Sequence, residues 1–144
     1  MKIKQTEKRE RIQKLHDQRD FDGISKLEGF TIFELRDWKE DTRNKFGCVT
    51  WIFSGDKVKV NGFTRRPSHP LGYEETEDPK KGDLVTYFFM GTKRFEPSFQ
   101  ATHAGIYIGD GRVRSKFRES HVYEHPLGDV LSGYGTEVKF FHKQ

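Results

Sequence analysis

The clearest alternation of apolar and polar positions lies between Thr102 and Lys116. Gly-Ile-Tyr-Ile and Val-Arg-Ser-Lys flank Gly109-Asp110-Gly111, residue types that tolerate positive φ, so the stretch predicts two strands joined by a tight turn. His103 stands where the first of these strands begins. The most apolar run, residues 82–90, follows turn residues and predicts a central strand. Residues 120–125, stopped by Pro126, and residues 137–141, preceded by the Gly-rich turn 132–135, are further strand candidates, and residues 57–63 alternate as a strand ending in a turn.

The first third of the chain has a different rhythm. Residues 4–19 are rich in Lys, Arg, Glu and Gln, with Ile12, Leu15 and His16 as the apolar stripe, which predicts a helix leaning on something else with its charges in solvent. Phe21-Asp22-Gly23 breaks the pattern. Ile24, Leu27, Phe30, Ile32, Phe33, Leu35 and Trp38 then form the first dense apolar cluster, and residues 30–35 within it fit either a strand or a helix. A polar stretch at 38–44 leads to residues 45–55, where Val49, Ile52 and Phe53 fall at helical spacing and Gly55 suits a helix stop. Cys48 would sit in the first turn of that short helix, where unpaired N–H groups and the positive end of the dipole favour a thiolate. Residues 64–81 carry Pro67, Pro70, Gly72, Pro79 and the acids Glu74, Glu75, Glu77 and Asp78, which predicts a long surface loop. Helices first and four to six mostly antiparallel strands afterwards is an α+β order.

Length and composition refine this picture. With 144 residues the chain fits one domain, residues 1–144, opened by the polar helix within 1–20. Thirteen Phe and an aromatic fraction of 14% predict a core built from rings. The net charge of +4 is too small to name a partner. Arg65-Arg66, Lys93-Arg94 and Arg112-Arg114 could line a basic groove, but no RNA or DNA motif accompanies them, so a nucleic-acid binder is the least favoured class. The single cysteine rules out an internal disulfide and suits a reducing compartment or a thiol with chemistry to perform. No apolar signal-peptide core and no run of membrane-span length is visible, so a cytoplasmic protein with no membrane partner is expected.

The candidate chemistry is a Cys48/His103 pair, because a histidine fixed at a strand end is well placed to serve as general base to a thiol. Lys80-Lys81-Gly82-Asp83-Leu84-Val85 and Thr102-His103-Ala104-Gly105-Ile106-Tyr107-Ile108-Gly109-Asp110-Gly111 resemble the two most recognisable stretches of the NlpC/P60 cysteine peptidases, over residues 44–141. The resemblance implies a compact papain-like fold in which Cys48 is the nucleophile, His103 the base and Ser115, on the next strand, the third catalytic residue. It further implies a peptide-like or other amide substrate. Lys116, Trp51 and Tyr107 are the candidate substrate contacts, and no cofactor is expected. The family usually carries Asp or Asn before its cysteine and Ser or Ala then Gly after it, where this chain has Gly47 and Val49-Thr50. Residues 115–135 resemble uncharacterised NlpC/P60-like proteins with a Ser-Lys, His-Pro-Leu and Tyr-Gly pattern.

Turn geometry frames the choice of third residue. A three-residue turn with Gly111 at positive φ puts Gly105 opposite Ser115 and Ser115 on the His103 face, whereas a two-residue Asp110-Gly111 turn shifts the register by one and brings Lys116 there. His125 is a further candidate orienter. A metal site of Cys48, His103, His121 and His125 would need the last two on a helix, and Pro126 after Val122-Tyr123 argues for a strand, so no metal is expected. The rival from another class is a catalytically silent papain-like binding module in which Cys48 is core.

Overall fold

The turn at Asp110-Gly111 shows how the sheet is assembled. Both residues take left-handed backbone, φ 53° and 72°, as a two-residue hairpin loop requires. They join β4 (His103–Gly109) to β5 (Arg112–Lys116). Gly109 pairs with Arg112, and a bulge then shifts the register by one, so that Tyr107 faces Val113 and Ile106 faces Arg114. Continued upstream, this register sets Gly105 against Ser115, and a Cβ added at Gly105 would lie 2.9 Å from the Ser115 Cβ. The turn therefore has two residues, yet the bulge returns Ser115 to the His103 face. Lys116, one residue on, belongs to the opposite face of the sheet, so the alternative in which a two-residue turn brings it to the His103 face does not hold.

The structure, a computed structural model, describes residues 1–35, 72–89, 102–118 and 120–144. Cys48, Trp51, the helix expected around them and the strand expected at 57–63 lie outside the described residues.

The fold is α+β. Among the described residues, two short helices accompany one antiparallel sheet of seven strands in the order β1-β6-β5-β4-β3-β7-β2. The remaining strands are β1 (Thr31–Glu34), β2 (Tyr73–Thr76), β3 (Leu84–Phe88), β6 (Val122–Pro126) and β7 (Glu137–Lys143). The four to six strands expected from the sequence fall short of this number. The undecided stretch at 30–35 is a strand, paired with β6. Within the stretch read as a surface loop, Tyr73–Thr76 pairs with Phe140 to Lys143 as an edge strand, and there its glutamates can face water. Residues 1–3 continue the same side of β7, with a bridge between Lys2 and Glu137 and the Ile3 N–H donating to the Thr136 carbonyl at 2.8 Å.

The helices α1 (Glu7–Asp17) and α2 (Phe21–Ser25) are capped by Thr6, whose hydroxyl accepts from the Arg9 N–H, and by Asp20, whose carboxylate accepts from the Gly23 N–H. Their Ile12, Phe21 and Ile24 share one core with Phe30, Val85, Tyr87, Val113, Phe117 and Tyr123. The charges of α1 face solvent with one exception. Arg9 is fully buried, and its guanidinium donates to the carbonyls of Val130 at 3.1 Å, Leu131 at 3.0 Å, Gly135 at 2.6 Å and Lys4 at 3.2 Å. The 3-10 turn Ser132–Tyr134 is thereby tied to α1. Gly135, at φ 117°, passes so close to β3 that a Cβ would lie 2.2 Å from the Phe88 oxygen, so this position accepts no side chain. No described helix is long and apolar enough to cross a membrane.

Arg9→Met is expected to lower unfolding free energy by about 2–4 kcal/mol, because several buried carbonyls lose their donor together. Arg11→Met, on the exposed side of α1, should stay within about 0.5 kcal/mol. Urea denaturation of the two variants measures the difference, and equal effects would show that the buried contacts of Arg9 contribute nothing special.

Candidate active site around His103

His103 opens β4 beside Tyr87 of β3, and its side chain enters a box of rings. The Tyr134 ring lies parallel to the imidazole at 5°, with centroids 3.9 Å apart. Tyr87 is tilted at 5.3 Å and Phe117 stands edge-on at 5.7 Å. The imidazole is fully buried, and neither nitrogen has a hydrogen-bond partner among the described residues. Burial pushes its pKa well below the ordinary histidine value, and the neighbouring His125 and the Arg118 charge push the same way. His103 is therefore a neutral imidazole whose two edges are unsatisfied by the described residues, and a buried polar group left so costs on the order of 1–3 kcal/mol, which native proteins seldom keep without use.

Ser115, the expected third residue, is engaged elsewhere. Its hydroxyl lies 2.7 Å from Nε2 of His125, and Nδ1 of His125 lies 2.8 Å from the Pro126 carbonyl. A carbonyl only accepts, so Nδ1 carries the hydrogen and Ser115 donates to Nε2. His125 is satisfied at both nitrogens and stacked on Phe30 at 5.5 Å. Burial pushes its pKa down to about 4; the Pro126 bond works against this, while Arg112 and Lys8 add to it. Ser115 shares a face with His103 but orients a different histidine, and His125 has no nitrogen left for His103.

The other expected site residues are dispersed. Lys116 is buried on the far face, its ammonium donating to the Arg118 carbonyl. Tyr107 lies on the His103 face, edge-on to Phe140 at 5.8 Å, and its hydroxyl accepts from the Gly111 N–H at 3.0 Å, so it braces the hairpin turn. His125 lies in strand β6 with His121 just ahead of it, not on a helix, and no group of three or more potential ligands among the described residues could hold a metal ion. Of the basic pairs, Arg112 donates to the Gly29 carbonyl and Arg114 to the Glu124 carboxylate; Arg65, Arg66, Lys93 and Arg94 lie outside the described residues.

Two features escape sequence reasoning. Tyr134 reads only as part of a Gly-rich turn, although its position before the side-chain-intolerant Gly135 is a signal of close packing. Asp83, in the Gly-Asp-Leu-Val stretch, accepts the Lys80 N–H at 2.8 Å with one oxygen and pairs with Nδ1 of His142 at 2.7 Å through the other. That aspartate fixes the entry to β3. No family model, curated protein or solved structure matches the chain.

The fully buried histidines His103 and His125 make stability depend on pH. Each is neutral in the fold, while the unfolded chain takes up a proton at each as pH falls through the ordinary value of 6.5. The unfolded state then holds more protons, so stability is lost below 6.5, and for His125 the loss continues until about 4. Between pH 7 and pH 5 the loss from His125 alone should be about 2 kcal/mol, with His103 adding in the same direction. Urea midpoints across that range measure it, and a flat profile would contradict the neutral buried assignment.

Proposed function

We propose that the chain is a papain-like thiol hydrolase or acyl-transfer enzyme of the NlpC/P60 type, acting on an amide bond of a peptide-like substrate, with Cys48 as nucleophile and His103 as base. The observation that carries this reading is His103 itself, a neutral imidazole at the start of a central strand whose two nitrogens find no partner among the described residues. The order of Cys48, Gly-Asp-Leu-Val and His-Ala-Gly along the chain supports it.

The chemistry then needs no cofactor. His103 takes the proton from the Cys48 thiol, and the sulfur attacks the amide carbon, with N–H groups at the start of the helix that the sequence predicts around Cys48 receiving the oxyanion. Collapse breaks the C–N bond, His103 returns the proton to the leaving amine, and water or another amine releases the acyl group from the thioester. Because burial disfavours either charge alone, thiol and imidazole exchange the proton as a net-neutral pair. A lone cysteine that must stay reduced fits a cytoplasmic setting.

One observation favours a second reading, the catalytically silent binding module. His103 has no exposed surface, and the side chain expected to orient it is bonded to His125. In that reading the ring box is simply core.

Alkylation of Cys48 by iodoacetamide across pH separates the two. An activated pair is expected to react with an apparent pKa well below the usual value of about 8.5, and His103→Ala should return it to that value. A thiol that is inert in the folded protein, or a profile unchanged by His103→Ala, would rule out the enzyme reading and leave the binding module.

A further inference from the structure

An imidazole that acts as base has to be held in one plane, and this is ordinarily done by a polar side chain that accepts one ring N–H. Among the described residues, the polar candidates around His103 are already committed. Ser115 bonds to His125, His125 uses both of its nitrogens, and Lys116 lies on the other face of the sheet. Among the described residues, the closest and most parallel ring is that of Tyr134, with centroids 3.9 Å apart and planes 5° from parallel.

The segment carrying that ring is fixed from several sides. Thr102, the residue before His103, donates its hydroxyl to the Tyr134 carbonyl and its N–H to the Tyr87 carbonyl. The Tyr134 N–H donates to the Leu131 carbonyl at 3.0 Å. The Arg9 guanidinium grips the carbonyls of Leu131 and Gly135 on either side of it, and Gly135 is pressed against Phe88. Tyr134 thus has little freedom to move away from the imidazole.

Resting on the reading of His103 as base, we infer that Tyr134 is its positioning residue, setting the imidazole plane by stacking where a polar orienting side chain would otherwise stand. Stacking differs from a hydrogen bond in one useful respect. It fixes the plane while leaving both nitrogen edges open, one to take the thiol proton and either to deliver it to the leaving amine. When His103 carries that proton, the face of the Tyr134 ring also stabilises the cation, a service a carboxylate would otherwise perform.

The test compares Tyr134→Phe, Tyr134→Leu and His103→Ala in the full chain, reading the pH profile of Cys48 alkylation by iodoacetamide and the unfolding transition of each variant. Tyr134→Phe keeps the ring and should stay within about twofold of the parent protein at every pH. Tyr134→Leu should lose the low-pH reactivity by roughly tenfold or more while still unfolding cooperatively. If Tyr134→Leu retains that reactivity while His103→Ala abolishes it, the base stands and the positioning role is overturned. If His103→Ala changes nothing, the base reading itself falls and this inference falls with it. Should Tyr134→Leu not fold, proton NMR of the parent protein decides: a ring stacked on His103 shifts its Hε1 resonance upfield, Tyr134→Phe preserves the shift, and an Hε1 at the ordinary histidine frequency overturns the inference.

Discussion

A buried guanidinium governs the region above the sheet. Taking a charge out of water costs several kcal/mol unless its donors are met, and Arg9 meets this demand with the carbonyls of Lys4, Val130, Leu131 and Gly135. The exchange is mutual, because the Val130 and Gly135 carbonyls find their donor in the guanidinium. One side chain of α1 thus fixes a loop more than a hundred residues away in sequence, and that loop carries Tyr134 onto His103. The ion pair of Lys8 with Asp129 at 2.6 Å anchors the approach to the same loop. Helix, loop and the strand that carries His103 form one mechanical unit.

Two histidines in this unit are equally buried and differently treated. His125 has a donor on one nitrogen and an acceptor for the other, and a flat aromatic neighbour, so it is a finished piece of core. His103 has three aromatic neighbours and no hydrogen bond among the described residues. Hydrophobic burial alone would favour an apolar ring at that position. Keeping a polar ring there makes sense when another group uses it, and in the proposed reading that group is Cys48.

Much of this was legible from the residues. Alternation and turn chemistry located β3, β4, β5, β6 and β7, because half-buried strands print their period directly on the sequence, and Ile12 and His16 marked the buried stripe of α1. Other features leave no such print. Arg9 is one cation among many on a charged helix, and only the distant carbonyls distinguish it. β2 hides behind prolines and acids because an edge strand need bury little. The bulge after Gly109 preserved the Ser115 register in spite of a two-residue turn, since bulge and turn length offset each other and neither can be read alone. The bond from Ser115 to His125 is diagonal across two strands, beyond what pairing by spacing can resolve. His103 was legible as a strand-end histidine; its aromatic box was not, because Tyr134 comes from a loop placed by tertiary contacts.

The most direct test of the central claim, that His103 is a neutral imidazole whose missing partner is the Cys48 thiol, is a side-chain nitrogen-15 NMR titration of His103 in the parent protein and in Cys48→Ala. The expected result is that His103 stays neutral to low pH in Cys48→Ala, while in the parent protein its ring nitrogens shift as the thiol and imidazole share a proton. Identical titrations in the two proteins would contradict the pairing and leave His103 as a buried member of the core.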